Sequence, residues 1–179
     1  VPNMTVICPA DANETREAVK AIAGMDGPCY LRLNRNDYPN VTEEGAPFEI
    51  GVPKLLKDGT DIALFAVGYM TGVALEAARE LEGSISVRVI NVSTIKPMDK
   101  EMIRKMAEGC RAVVTAEEHN VAGGLGSAVA EALCENPIPM KMVGIKDTFG
   151  CSGHNYQEVL AYHGLTREAV AEAVREMAG

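Results

Sequence analysis

Two arginines three residues apart, Arg32 and Arg35, are the side chains of this sequence best suited to holding an anion. They close the run Cys29-Tyr30-Leu31-Arg32-Leu33-Asn34-Arg35, whose alternation reads as a strand with Leu31 and Leu33 on one face and Arg32 on the other. A sheet covered on both faces would bury that guanidinium, which then needs an anion. An internal carboxylate or a ligand would serve, and both readings stay open. Arg35 falls just past the strand end. A forked, permanently charged group there suits phosphate capture, although an ordinary exposed loop arginine would sit in the same place.

Other candidates are weaker. Glu117-Glu118-His119 ends a strand-like run, where ligand sites of open α/β sheets gather and where a carboxylate beside an imidazole could act as an acid–base pair. Neighbours on a strand point to opposite faces, however, so a structural or interface role is favoured. Gly123-Gly124-Leu125-Gly126-Ser127 opens a helix and could cradle a phosphate on its backbone N–H groups. It is neither a Walker loop nor a dinucleotide fingerprint, so close helix–sheet packing is the better explanation of its glycines. Cys151 has no histidine placed by a nucleophile signature, and His154 and His163 read as surface residues at helix ends. Five cysteines without a C-x-x-C pair read as free thiols, and the spacing of the Cys and His residues suits no zinc site.

The elements that must position these residues alternate between strand-like and helix-like periods, the mark of an α/β fold with a mainly parallel sheet. Residues 4–8 read as a strand. Asp11 with Glu14 three positions on resembles a capping box, and the helix it opens ends at Gly24 with Ala18, Val19, Ile22 and Ala23 on one face. A second strand follows at 29–33. One such unit leaves most of a sheet face bare, so this block either docks on something else in the chain or is the end of a larger layer.

Between 34 and 53 the prolines and glycines break any regular element. Asp58-Gly59 then suggests a tight hairpin between strands 54–56 and 62–67, giving one antiparallel edge strand. Helix 71–81, strand 85–92, helix 99–107, strand 112–116, helix 124–133 and strand 141–145 continue the alternation. Helices 155–161 and 167–177 close it, the last capped by Thr166.

Composition narrows the function classes. The 17 basic residues are scattered against 25 acidic ones, for a net charge of -8, which argues against nucleic-acid binding. No apolar run approaches the ~20 residues of a membrane span. The opening Val1-Pro2-Asn3 shows no secretory signal, and a cytoplasmic protein is expected.

Five segments in order resemble the transketolase family across essentially the whole chain. They are residues 2–11 (Pro2 to Asp11), 27–33 (Gly27 to Leu33), Thr94-Ile95-Lys96-Pro97, Glu117-Glu118-His119 with the glycine run 123–127, and Asp147-Thr148-Phe149-Gly150-Cys151-Ser152-Gly153. The likeness is greatest to the separate carboxyl-terminal subunit of split transketolases. Deoxyxylulose-phosphate synthase shares much of the pattern, and a noncatalytic assembly or regulatory domain of the same fold is a third reading.

The resemblance implies a three-layer α/β fold with a mostly parallel sheet and one antiparallel edge strand, preceded by a βαβ remnant of a pyrimidine-binding domain. Residues 1–40 would be that remnant, 41–53 a linker and 54–179 the carboxyl-terminal domain. It further implies transfer of two-carbon ketol units between sugar phosphates. Thiamine diphosphate and a divalent metal (Mg) would serve the intact enzyme, with neither bound by this chain alone. The expected partners are an amino-terminal subunit or upstream region and a second copy in a homodimer. Arg35 matches the place of the family's sugar-phosphate arginine, Arg32 is a second candidate, and the isolated chain is expected to be inactive.

Overall fold

The computed structural model describes residues 1–179. The elements run β1 (Thr5–Ile7), α1 (Ala12–Ala23), β2 (Cys29–Leu31), β3 (Lys54–Lys57), β4 (Ile62–Ala66), α2 (Met70–Glu80), β5 (Val87–Asn91), β6 (Thr94–Lys96), α3 (Lys100–Ala107), β7 (Ala112–Asn120), α4 (Leu125–Leu133), β8 (Met140–Ile145), α5 (Tyr156–Tyr162) and α6 (Arg167–Ala178).

Ile-Ala-Leu-Phe-Ala in β4 is apolar throughout, as a strand covered on both faces must be. Ile62, Leu64 and Ala66 turn to one side, where they pack with Met70 and Ala74 of α2 and Val174 of α6. Ala63 and Phe65 turn to the other, against Ile103 of α3 and Val129 of α4. The result is the expected three-layer arrangement. Its five-stranded sheet runs β3-β5-β4-β7-β8, with β4, β5, β7 and β8 parallel and β3 antiparallel at the edge.

The edge strand is as expected, but its partner is not. β3 pairs with β5 rather than with β4, so Asp58-Gly59 is not a hairpin turn. The chain instead passes over the start of β5: the Asp58 carboxylate takes an Arg88 N–H, and Asp61 exchanges hydrogen bonds with Ser86. Gly59 is required by proximity, since a Cβ there would stand 2.3 Å from the Val87 carbonyl carbon.

The opening strand–helix–strand docks on the rest of the chain through β6, giving a second, three-stranded sheet in the order β2-β1-β6. Asp11 caps α1 by accepting the Glu14 N–H. The Glu14 carboxylate reaches back one residue further than a capping box requires, to the Ala10 N–H. The apolar stripe expected on α1 is only partly used. Ala18 is fully buried, whereas Val19 is 46% exposed, because three short strands offer little surface to cover.

Buried polar contacts join the two sheets. Asn91 at the end of β5 donates its amide to both Glu14 carboxylate oxygens at 3.0 Å and accepts the Thr71 hydroxyl at 3.1 Å. Asp11 also accepts the Val41 and Thr42 N–H groups, each at 2.6 Å, which pins the irregular segment 34–53 to the first helix. No helix is long and apolar enough to cross a membrane.

Candidate functional site

The carboxyl ends of β1, β2, β4 and β7 converge where the two sheets meet. Residues at or just beyond these ends line a cleft of about 100 Å³, among them Cys8, Arg32, Arg35, Tyr38, Tyr69 and Glu118. This is the rim at which open α/β sheets bind ligands.

Arg32 is half-buried, and its Nη2 donates to the Glu118 carbonyl oxygen at 2.7 Å. Its hydrogen-bond acceptor at Glu118 is therefore the backbone carbonyl rather than the carboxylate. Arg35 is exposed beside it. Sequence reasoning selected both arginines, and the fold brings them to one cleft.

Glu117, Glu118 and His119 diverge, as alternation along β7 requires. Glu117 is wholly buried, and its carboxylate accepts the N–H groups of Leu125 at 2.7 Å and Gly126 at 2.8 Å. It thus fills the anion position at the amino end of α4, so the glycine run cradles this carboxylate in place of a phosphate. Desolvation pushes the Glu117 carboxyl above its ordinary value, against the pull of the two N–H groups. A Cβ on Gly124 would fall 1.9 Å from Oε2 of Glu117. His119 reaches only the Asn120 carbonyl, in an exposed position.

Glu118 faces the cleft side. Its Oε2 accepts the Tyr156 hydroxyl at 2.7 Å and the Asn34 amide at 3.1 Å. Asn34 also reaches the Tyr156 hydroxyl at 2.6 Å. The rings of Tyr38, Tyr69 and Tyr156 form an edge-on row with centroids 5.4 and 5.5 Å apart. Burial, followed by nearby thiol and carboxylate charges, pushes the Tyr38 phenol up to about 12. Burial likewise raises the Cys8 thiol to about 11 despite the opposing field of Arg32. Both groups are neutral at physiological pH, which leaves the arginines as the cationic groups of the cleft wall.

Asn34, Tyr38, Tyr69 and Tyr156 were not singled out in the sequence. They come from three separate stretches of chain, 34–38, 69 and 156, and no local spacing marks these stretches as neighbours. Away from the cleft, α5 brings His163 Nε2 to 3.7 Å from the exposed Cys151 thiol, a pairing that sequence spacing did not show.

A diphosphate-bearing cofactor with a metal does not fit the residues present. No group of three His, Cys, Asp or Glu side chains stands together as metal ligands, and the one glycine-rich helix start is taken by Glu117.

Residues 51–170 match the family model described as the transketolase C-terminal domain, and residues 1–41 match that of the transketolase pyrimidine binding domain. A provisionally named transketolase C-terminal section of Methanocaldococcus jannaschii is 42% identical over 98% of this chain and 56% of its own length. A 1-deoxy-D-xylulose-5-phosphate synthase of Thioalkalivibrio sulfidiphilus is 37% identical over 98% of this chain and 27% of its own. Among solved structures, a split-gene transketolase in an inactive beta4 tetramer superposes with a TM-score of 0.93 at 46% identity, covering 99% of this chain and 59% of that one. The chain spans about half the length of the curated transketolase sections and subunits it matches.

Proposed function

We propose, since the chain belongs to the transketolase family, that it is the carboxyl-terminal part of a thiamine-diphosphate-dependent transketolase moving two-carbon ketol units between sugar phosphates. Its own contribution is assembly and one edge of the substrate site. The cofactor and its divalent metal are held by an amino-terminal subunit or upstream region, in a cytoplasmic, dimeric enzyme of pentose-phosphate metabolism. This chain by itself is inactive.

Arg35 is the group that holds the substrate phosphate, with Arg32 beside it. The observation that carries this reading is an exposed guanidinium in a cleft at the strands' carboxyl ends, next to a second arginine that donates to a backbone carbonyl. The bond-making chemistry is the cofactor's, and the arginines contribute orientation by fixing the sugar's remote, anionic end.

The test is Arg35→Ala in the intact complex, assayed on phosphorylated and unphosphorylated sugars. A charge-assisted contact to phosphate contributes about 1.5 kcal/mol at a partly exposed site, so KM for phosphorylated sugars should rise roughly tenfold. Unphosphorylated sugars should be little affected. Equal losses for both classes would defeat the assignment.

The similarity to a deoxyxylulose-phosphate synthase supports a second reading, in which the donor is pyruvate. Turnover of pyruvate by the intact enzyme, with no reaction from ketose phosphates, would replace the first reading with this one.

A further inference from the structure

The loop that carries Arg35 is held at both ends. At Asn34 the hold is polar and closed. The two amide hydrogens go to Glu118 Oε2 at 3.1 Å and to the Tyr156 hydroxyl at 2.6 Å, and that hydroxyl donates to the same Glu118 oxygen at 2.7 Å. The Asn34 side-chain oxygen Oδ1 meanwhile accepts the Asn36 N–H at 3.3 Å, turning the chain at Arg35. At Tyr38 the hold is aromatic: its ring meets Tyr69 edge-on, and Tyr69 meets Tyr156 in the same way. Tyr156 therefore belongs to both anchors, one through its hydroxyl and one through its ring.

Tyr156 opens α5, more than a hundred residues after the loop that it holds. Burial first, then the Glu118 carboxylate, raise its phenol well above the ordinary value, so it remains a donor. Glu118 contributes twice, since its backbone carbonyl holds Arg32 while its carboxylate holds Asn34 and Tyr156.

The geometry points to Tyr156, acting with Glu118 and Asn34, as a positioning residue that fixes the loop 34–38 so that Arg35 is presented to the anionic end of the substrate beside Arg32. This deepens the proposed function and rests on its assignment of Arg35. It also gives the carboxyl-terminal domain a part in substrate selection that an assembly role does not require, because α5 belongs to that domain and the loop does not.

The test uses the intact complex and the variant Tyr156→Phe, which keeps the ring and removes only the hydroxyl. Loss of a hydrogen bond of ordinary net strength corresponds to roughly a fivefold shift in an equilibrium. Hydrogen–deuterium exchange in peptides covering 33–38 should therefore accelerate about fivefold, with peptides of β4 unchanged. KM for phosphorylated sugars should rise by a similar factor with kcat held, and Tyr156→Phe should add little once Arg35→Ala is present. Glu118→Ala, which keeps the backbone carbonyl that holds Arg32 and removes the oxygen that accepts from Tyr156 and Asn34, serves as a second variant and should show the same loop exchange should Tyr156→Phe fail to fold.

Unchanged exchange of 33–38 in both variants would overturn the clasp, whatever Arg35 binds. Faster exchange with an unaltered KM, in an enzyme where Arg35→Ala does raise KM, would overturn its role in positioning. If Arg35→Ala does not discriminate phosphorylated sugars, the proposed substrate contact fails and the positioning role falls with it. The exchange data would then still decide whether the loop is clasped.

Discussion

Substituting alanine at Gly124 and, separately, at Gly123 should produce very different losses of stability. Gly124 has φ -95°, open to any residue, so the backbone raises no objection to alanine. Its Cβ, however, would stand 1.9 Å from Oε2 of Glu117 and 2.7 Å from the Asn120 carbonyl oxygen. Glu117 is wholly buried and holds the first N–H groups of α4. Either its carboxylate swings away, losing a charge-assisted bond worth about 1.5–3 kcal/mol and stranding a buried charge, or α4 backs off and opens its packing. A cost of about 3–5 kcal/mol follows from those two routes. Gly123 is the reverse case. Its φ is +83° but a Cβ would meet nothing within 4 Å, so alanine there costs only the left-handed strain of about 1–2 kcal/mol. At this chain length 1 kcal/mol corresponds to roughly 2–4 °C in Tm. Calorimetry or urea unfolding should therefore show Gly124→Ala lower by about 10 °C and Gly123→Ala by only a few degrees. The Glu117 cap is refuted as the reason for this glycine if Gly124→Ala proves no more destabilising than Gly123→Ala.

The junction between the sheets should be as sensitive. Asn91→Ala leaves the buried Glu14 carboxylate with the Ala10 N–H and no amide partner, and urea unfolding should register a loss of about 2–4 kcal/mol. Cys8, with its thiol raised to about 11, holds roughly one thiolate per thousand molecules at pH 8, so iodoacetamide followed by peptide mapping should label the exposed Cys134 and Cys151 well before it. Burial pushes the Asp11 carboxyl up, but hydrogen bonds from Glu14, Thr42 and Val41 outweigh that and hold it below its ordinary value. Its contribution is thus present above about pH 4 and lost as pH falls through the lowered value. Asp11→Asn should accordingly flatten the acid limb of a stability–pH profile, and an unchanged limb would count against that network.

Much of the architecture was legible because it is written in local periods. The uninterrupted apolar run of β4, the 3.6-residue stripes of α2 and α6, and the caps at Asp11 and Thr166 all involve neighbours within one or two turns of chain. Arg35 could be chosen for a similar reason, since a strand's end and the alternation before it are local facts. Pairing is another matter. Asp58-Gly59 has hairpin chemistry, yet β3 passes over β5 and pairs there, because the choice lies between edges that are distant in sequence and similar in local propensity. The partial exposure of α1 has the same origin, since what covers a helix depends on how many strands lie beneath it.

The residues of this chain settled by themselves that it alternates strands and helices around a mostly parallel sheet, and which family its motifs resemble. The tertiary structure alone decided that Glu117 fills the helix start where a phosphate could have bound, that Arg32 leans on a carbonyl, and that Tyr156 stands against Asn34. Periodicity and capping act between residues a few positions apart, so the order of residues carries them. A hydrogen bond between positions 34 and 156 exists only once two sheets and the helices around them have packed, and nothing in the spacing of the chain encodes that distance.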